Sequence, residues 1–350
     1  MRRSLCLLFS ALMIAGLSAA QVQAAPKKEF KVCWSIYVGW MPWGYLADSG
    51  IMKKWADKYG IKVDVVQIND YVESINQYTA GGYDGCAMTN MDALSIPAAG
   101  GVDSTALIVG DYSNGNDGIV LKGRNALADI KGQKVNLVEL SVSHYLLARA
   151  LETVKLAEKD LTVVNTSDAD MVAAYATPEV TAVVTWNPLL SEITGQPSSK
   201  LVFNSAQIPG EIMDLMVVNT ETLKDNPDFG KALVGAWYEI MGLMEKGDKA
   251  SKEAMAKASG TDVAGLDAQL KTTMMFYKPA DAAAFAKDGK LLQTQEFVAK
   301  FLFDHGIFQG ASSPDAVGMA FPGGKTLGDK AKIKLRFDAD YMAMAAGGKL

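Results

Sequence analysis

Aromatic side chains crowd the residues that follow the first apolar run. Tyr37, Trp40, Trp43 and Tyr45 fall within nine positions, and three of the six tryptophans lie between 34 and 43. Trp34 sits inside the run and reads as core. Tyr37 and Trp40 lie past its end beside Gly39, where the chain turns, so they are candidates to line a cleft. The charges around them are one-sided. Segments 33–52, 83–121, 135–148, 180–197 and 201–223 contain no lysine or arginine, yet they hold Asp84, Asp92, Asp111, Asp117, Glu139, Glu211 and Asp214. Ring faces with carboxylates and no competing cation suit a positively charged guest, through cation–π and charge-assisted hydrogen bonds. A neutral amide remains an alternative. Helix N-termini alone can hold an anion, but Glu139 at the mouth of the helix that would do so repels one.

Catalysis has little material. The histidines are His144 and His305, and His144 at a helix start reads as a capping or packing group. No Cys-x-x-Cys, His-Glu-x-x-His or phosphate-loop glycine pattern is present, so neither a metal nor a cofactor is expected. Thr89, Asn90 and Asp92 open a helix, where such residues cap and offset the dipole; Asp92 is also placed to reach into a cleft. Ser141 or Ser143 serves as a second cap, Pro188 fits a first helical turn, and Asp117 reads equally as a hinge hydrogen-bonder or a ligand contact.

These residues need strand ends to hold them. Apolar strand patterns at 31–37, 62–68, 84–88 and 105–109 alternate with helical patterns at 43–59, 71–79 and 91–98, which predicts a parallel sheet with helices on its faces. A second set follows, with strands at 118–122, 134–138, 161–165, 180–185 and 200–203 and helices at 142–156, 168–176 and 187–194. Residues 212–218 form one more strand, the chain from Glu221 is mainly helical, and 310–350, rich in Gly, Ala and Lys, are expected as helix and surface loop. The organisation predicted is two α/β lobes, 26–114 plus 215–350 and 115–214, joined by passages near 111–118 and 209–214. Ligands of open α/β sheets bind beyond the carboxyl ends of the strands, so the two lobes enclose a cleft and the two passages act as hinges.

The extreme N-terminus reads as a secretory leader. Arg2 and Arg3 precede an apolar run from Leu5 to Ala20, and small residues end at Ala24-Ala25, so 1–25 is expected to be removed. No cysteine follows the run at the cleavage point, which predicts a soluble periplasmic protein. Lys plus Arg total 34 against 39 for Asp plus Glu, a net charge of −5 that becomes −7 without Arg2 and Arg3; nucleic acid is excluded as a partner on that balance. Cys33 and Cys86 lie in strand-like segments, either bridged or as buried thiols.

Together these segments resemble the nitrate/sulfonate/taurine group of ABC-transporter binding proteins. The likeness rests on the leader, Asp84-Gly-Cys-Ala-Met, Ser141-Val-Ser-His-Tyr-Leu-Leu, Val184-Thr-Trp-Asn-Pro-Leu and the crossing Pro209-Gly-Glu-Ile-Met-Asp-Leu-Met-Val-Val-Asn, in that order across about 30–244. The resemblance implies a type II periplasmic-binding fold, no enzymatic activity, a monomer, and a permease with its ATPase as partners. It implies pocket roles for 37–43, Thr89, Asn90, Ser141 to His144 and Trp186. Members that take anions usually have small residues where this chain has Glu139, and often an acidic residue where it has Asn187. The pattern is most similar to the branch linked to urea carboxylase pathways and guanidine use, which implies guanidinium first and urea second, with an alkyl sulfonate or nitrate as in the wider group. Pyrimidine-synthesis enzymes of thiamine metabolism resemble the same group, but they are intracellular. A binding protein reporting to a membrane sensor would close in the same way.

Overall fold

The computed structural model describes residues 27–308 and 310–350; the leader expected at 1–25 lies outside them. The chain begins with β1 (Glu29–Trp34), α1 (Met41–Asp48), α2 (Ile51–Lys58), β2 (Lys62–Gln67), α3 (Tyr71–Thr79), β3 (Gly85–Thr89), the single turn α4 (Asn90–Ala93) and β4 (Ser104–Ser113). It then crosses to β5 (Asp117–Lys122), β6 (Lys134–Leu137), α5 (Val142–Thr153), β7 (Thr162–Asn165), α6 (Asp168–Ala176), β8 (Ala182–Trp186), α7 (Leu189–Thr194) and β9 (Ser199–Asn204). It returns as β10 (Met213–Asn219), followed by α8 (Thr220–Asp225), α9 (Pro227–Glu245), α10 (Lys249–Ala258), α11 (Val263–Leu270) and β11 (Thr273–Met275). The remaining elements are α12 (Pro279–Lys287), α13 (Gly289–Asp304), β12 (Gly318–Phe321), β13 (Lys325–Leu327), β14 (Ile333–Phe337) and α14 (Asp340–Ala346).

Two sheets result. The first has the order β13-β12-β14-β4-β10-β3-β1-β2, with β11 also paired to β4; the second is β7-β6-β8-β5-β9. Neither is wholly parallel as the alternation of strand and helix predicts. The strand entering each lobe from the other, β10 in the first and β5 in the second, runs antiparallel to both its neighbours. A chain that crosses between lobes enters the second sheet from the opposite end, and helix–strand alternation carries no record of that.

Three further differences have local causes. The single helix expected over 43–59 breaks at Gly50, whose φ of 79° only a residue without Cβ adopts readily. The fourth strand continues past 109 to Ser113, so Asp111 belongs to the sheet and not to a polar turn. The C-terminal stretch adds β12, β13 and β14 to the first sheet, because Ile333, Leu335 and Phe337 alternate at period two within a composition dominated by small residues and lysine.

One apolar core runs through both lobes, and a smaller cluster of Val120, Met171, Tyr175, Val183, Leu190 and Ile193 fills the far side of the second sheet. Cys33 and Cys86 stand opposite each other on β1 and β3 as buried free thiols. Among the described residues no helix is long and apolar enough to cross a membrane.

Candidate functional site

The carboxyl ends of β1, β3 and β8 and the starts of α3, α5, β5 and β10 meet at one small cavity between the lobes, lined by Tyr37, Trp40, Tyr71, Thr89, Asp117, Val142, Trp186, Ile212 and Asp214. The cavity is far smaller than drug-sized sites and leaves room only for a small guest. Its walls are aromatic. The rings run in sequence Tyr37–Trp40 at 5.0 Å, Trp40–Tyr71 at 5.7 Å and Tyr71–Trp186 at 5.5 Å between centroids. Trp186 comes from the second lobe, and its indole N–H donates to the carbonyl of Ile36 in the first at 2.9 Å.

Other hydrogen bonds also span the cleft. The amide of Val38 donates to the carbonyl of Asn187 at 3.0 Å, and that of Tyr71 to Asp168 at 3.0 Å. The amide of Val142, at the first position of α5, donates to Asp92 at 3.3 Å. Outside the cavity, Arg149 of α5 binds Glu211 in the second crossing passage through two bonds of 2.9 Å, and Tyr145 donates to the same carboxylate. Arg149 is the first cation beyond segment 135–148, and Glu211 and Glu152 together engage it.

Four aspartates surround the cavity, each at most 3% exposed: Asp92, Asp111, Asp117 and Asp214. Their partners are few. Asp92 accepts from the Tyr71 hydroxyl, the Thr89 hydroxyl and Val142 on one oxygen, while its other oxygen has no partner. Asp117 accepts from Ser113, whose hydroxyl also meets that of Ser205, so this carboxylate ties the two crossing passages together and faces the cavity as well. Asp111 on β4 and Asp214 on β10 stand directly opposite in the antiparallel pair. Tyr37 donates to one oxygen of Asp111 at 2.9 Å, and an oxygen on each of Asp111 and Asp214 goes unpartnered.

Burial without a neutralising cation pushes these carboxyls up. Desolvation raises Asp92 to about 6, Asp111 to about 7 and Asp117 to about 7. Asp214 rises well above the usual carboxylate range through desolvation and then the charge of Asp111. Desolvation also holds the Tyr37 and Tyr71 hydroxyls well above the usual phenol value, so both remain donors.

Of the residues singled out from sequence, Tyr37, Trp40, Thr89, Trp186 and Asp214 line the cavity, and Asp92 stands immediately behind Tyr71 and Thr89. Four others do not reach it. Glu139 is exposed in an outer groove with Val72, Asn76 and Ser95; Leu140 takes a φ of 60°, and the chain turns into α5 with Glu139 on the outside. The acid at the mouth of α5 is Asp92 of the opposite lobe. Asn90 is consumed by the second crossing passage, accepting from Met213 and donating to the Glu211 carbonyl. Ser141 caps α5, donating to Val138 and accepting from Ser143. His144 accepts from Leu140 on Nδ1, which leaves its proton on Nε2 to face Glu158.

Tyr71 is the principal omission. It reads in sequence as the first residue of an amphipathic helix, and what holds it at the cleft is the bond from its amide to Asp168 of the other lobe, which no local pattern shows.

The family description "NMT1/THI5 like" matches residues 49–239, more than half of the chain. The chain belongs to the NMT1/THI5-like family. A Brucella abortus relative carried under a binding-protein name is 23% identical over 245 residues, 69% of this chain and 71% of its own length. The alkanesulfonate-binding protein SsuA from Xanthomonas axonopodis, bound to MOPS, superposes with a TM-score of 0.67 at 18% identity, covering 81% of this chain and 96% of that one. The periplasmic nitrate-binding protein NrtA from Synechocystis gives 0.58 at 14% identity, with 93% and 100% covered. The fold of this NMT1/THI5-like chain is thus the mixed α/β periplasmic-binding-protein fold with two sheet-containing lobes.

Proposed function

We propose that the protein is the periplasmic solute-binding component of an ABC importer, working with a permease and its ATPase, and that its cleft takes guanidinium. One observation carries the ligand: buried carboxylates converge on an aromatic-walled cavity, and among the described residues no lysine, arginine or histidine side chain lines it. Guanidinium is planar, permanently charged and ringed with N–H donors. It can stack on Trp40, Tyr71 or Trp186 while donating to Asp117 and Asp214. Binding without catalysis agrees with the binding-protein name of the Brucella relative.

Urea shares the shape and the donors but leaves the carboxylates uncompensated, so it should bind far more weakly. The sulfonate- and nitrate-binding neighbours favour an anion as the second reading. Against it stands Asp92 at the N-terminus of α5, where an anion would otherwise be held; the small cavity tells against an alkyl sulfonate but not against nitrate, which matches guanidinium in size. Calorimetric titration of the protein with guanidinium, urea, taurine, nitrate and an alkyl sulfonate decides between them. Heat with guanidinium and none with the anions is the expected result; tight binding of a sulfonate with silence for guanidinium overturns the reading.

A further inference from the structure

We propose that Asp111 and Asp214 share one proton while the cleft holds no cation, and that binding of the cation drives this proton out to solvent, so that Asp111 selects for charge through a carboxylate it does not itself present to the ligand. The proposal rests on the cation-binding reading above and adds to it a mechanism of selection.

The geometry is that of a carboxylate pair in adjacent strands. Asp214 and Asp111 are directly opposed across β10 and β4, a placement that is unfavourable for two like charges. Both are buried, and Tyr37 supplies one hydroxyl proton to their four oxygens. The groups that face them are Tyr37 from the segment after β1, Asp117 from β5 and, farther out, Tyr277 from the segment after β11. Asp92 adds its field to Asp117. None of these is a cation. Two ionised carboxylates have no donor to share, whereas one proton lets either acid donate to the other.

Only Asp214 of the two lines the cavity. A monovalent cation beside it replaces the proton charge for charge, so the site keeps its net charge through binding. The proton leaves to water. A neutral guest cannot displace it. By linkage, a ligand that expels one proton binds about tenfold more tightly per unit rise in pH while the pair still holds that proton.

The test is calorimetry of guanidinium binding at pH 7.5 in phosphate and in Tris, whose different ionisation heats report the protons released. About one proton per ligand is expected, together with a roughly tenfold fall in Kd from pH 7 to pH 8. Asp111→Asn places a permanent donor against Asp214 and should bring the count close to zero with the ligand still bound. Binding with equal heats in both buffers overturns the proton exchange and leaves the guanidinium reading standing; no binding in either buffer overturns that reading and the exchange with it. Carbon-13 spectra of the aspartate carboxyls in ligand-free wild-type protein test the pair even if the variant does not fold. With the signals assigned and Asp117 told apart by its Asn variant, a carboxyl of Asp111 or Asp214 should titrate above pH 7, and its absence overturns the proposal.

Discussion

Trp186 makes two contributions at once, a ring wall and a hydrogen bond across the cleft. Trp186→Ala should therefore weaken guanidinium binding by about 1–3 kcal/mol, and Trp186→Phe by less, because the wall survives and the bond to Ile36 does not; titration of both variants separates the two parts. Asp117→Asn removes a charge that faces the guest and should raise Kd at least tenfold, an amount of about 1.4 kcal/mol. Glu139→Gln should leave Kd unchanged, since that side chain is exposed in a different groove. A changed Kd for Glu139→Gln would mean that the turn before α5 is drawn into the site. The aromatic and acidic residue types of the cavity were legible in the sequence, but which acid stands at the mouth of α5 was not. Glu139 is adjacent in the chain, whereas Asp92 arrives from α4, after β3, in the other lobe.

At the scale of elements, the segment between β1 and α1 works because it can approach β4 closely. A Cβ on Gly39 would lie 2.4 Å from a Tyr37 ring carbon and 2.7 Å from an oxygen of Asp111. Gly39→Ala should consequently displace the Tyr37–Asp111 bond and weaken binding at least tenfold with the fold retained, measurable by titration beside an unchanged circular dichroism spectrum. Thr89 caps α4 and donates to Asp92, so Thr89→Val should lower thermal stability, by about 1 kcal/mol for the cap alone. Element existence followed closely from periodicity: α3 and α6 have the bounds that the pattern predicts, over 71–79 and 168–176. Strand direction did not, and neither did β12 to β14, short strands that extend the sheet because β14 pairs onto β4, β12 onto β14 and β13 onto β12, more than through their own composition.

Across the whole molecule, closure and protonation are coupled. Burial raises Asp92, which bonds Val142 across the cleft, to about 6 and Asp117, which faces it, to about 7, while in an opened cleft solvated aspartates titrate near 4; the Asp111–Asp214 pair lies within one sheet and does not depend on closure. The closed form thus binds more protons than the open form between those values, so closure without a cation is favoured at low pH and lost as pH rises through about 7. Small-angle scattering of the ligand-free protein should show the radius of gyration growing from pH 5 to pH 8, and guanidinium at pH 8 should reverse the growth. A radius indifferent to both would place the hinge motion outside the control of these aspartates.

Composition and order along the chain sufficed for two α/β lobes, two crossings and a cleft poor in cations, because hydrophobic periodicity and charge are properties of neighbouring residues. The identity of the site needed the tertiary structure. Tyr71, Asp92, Asp117, Trp186 and Asp214 are far apart in sequence and meet only when two sheets face each other, and the opposition of Asp111 to Asp214 follows from the antiparallel entry of β10, a direction that no local pattern encodes.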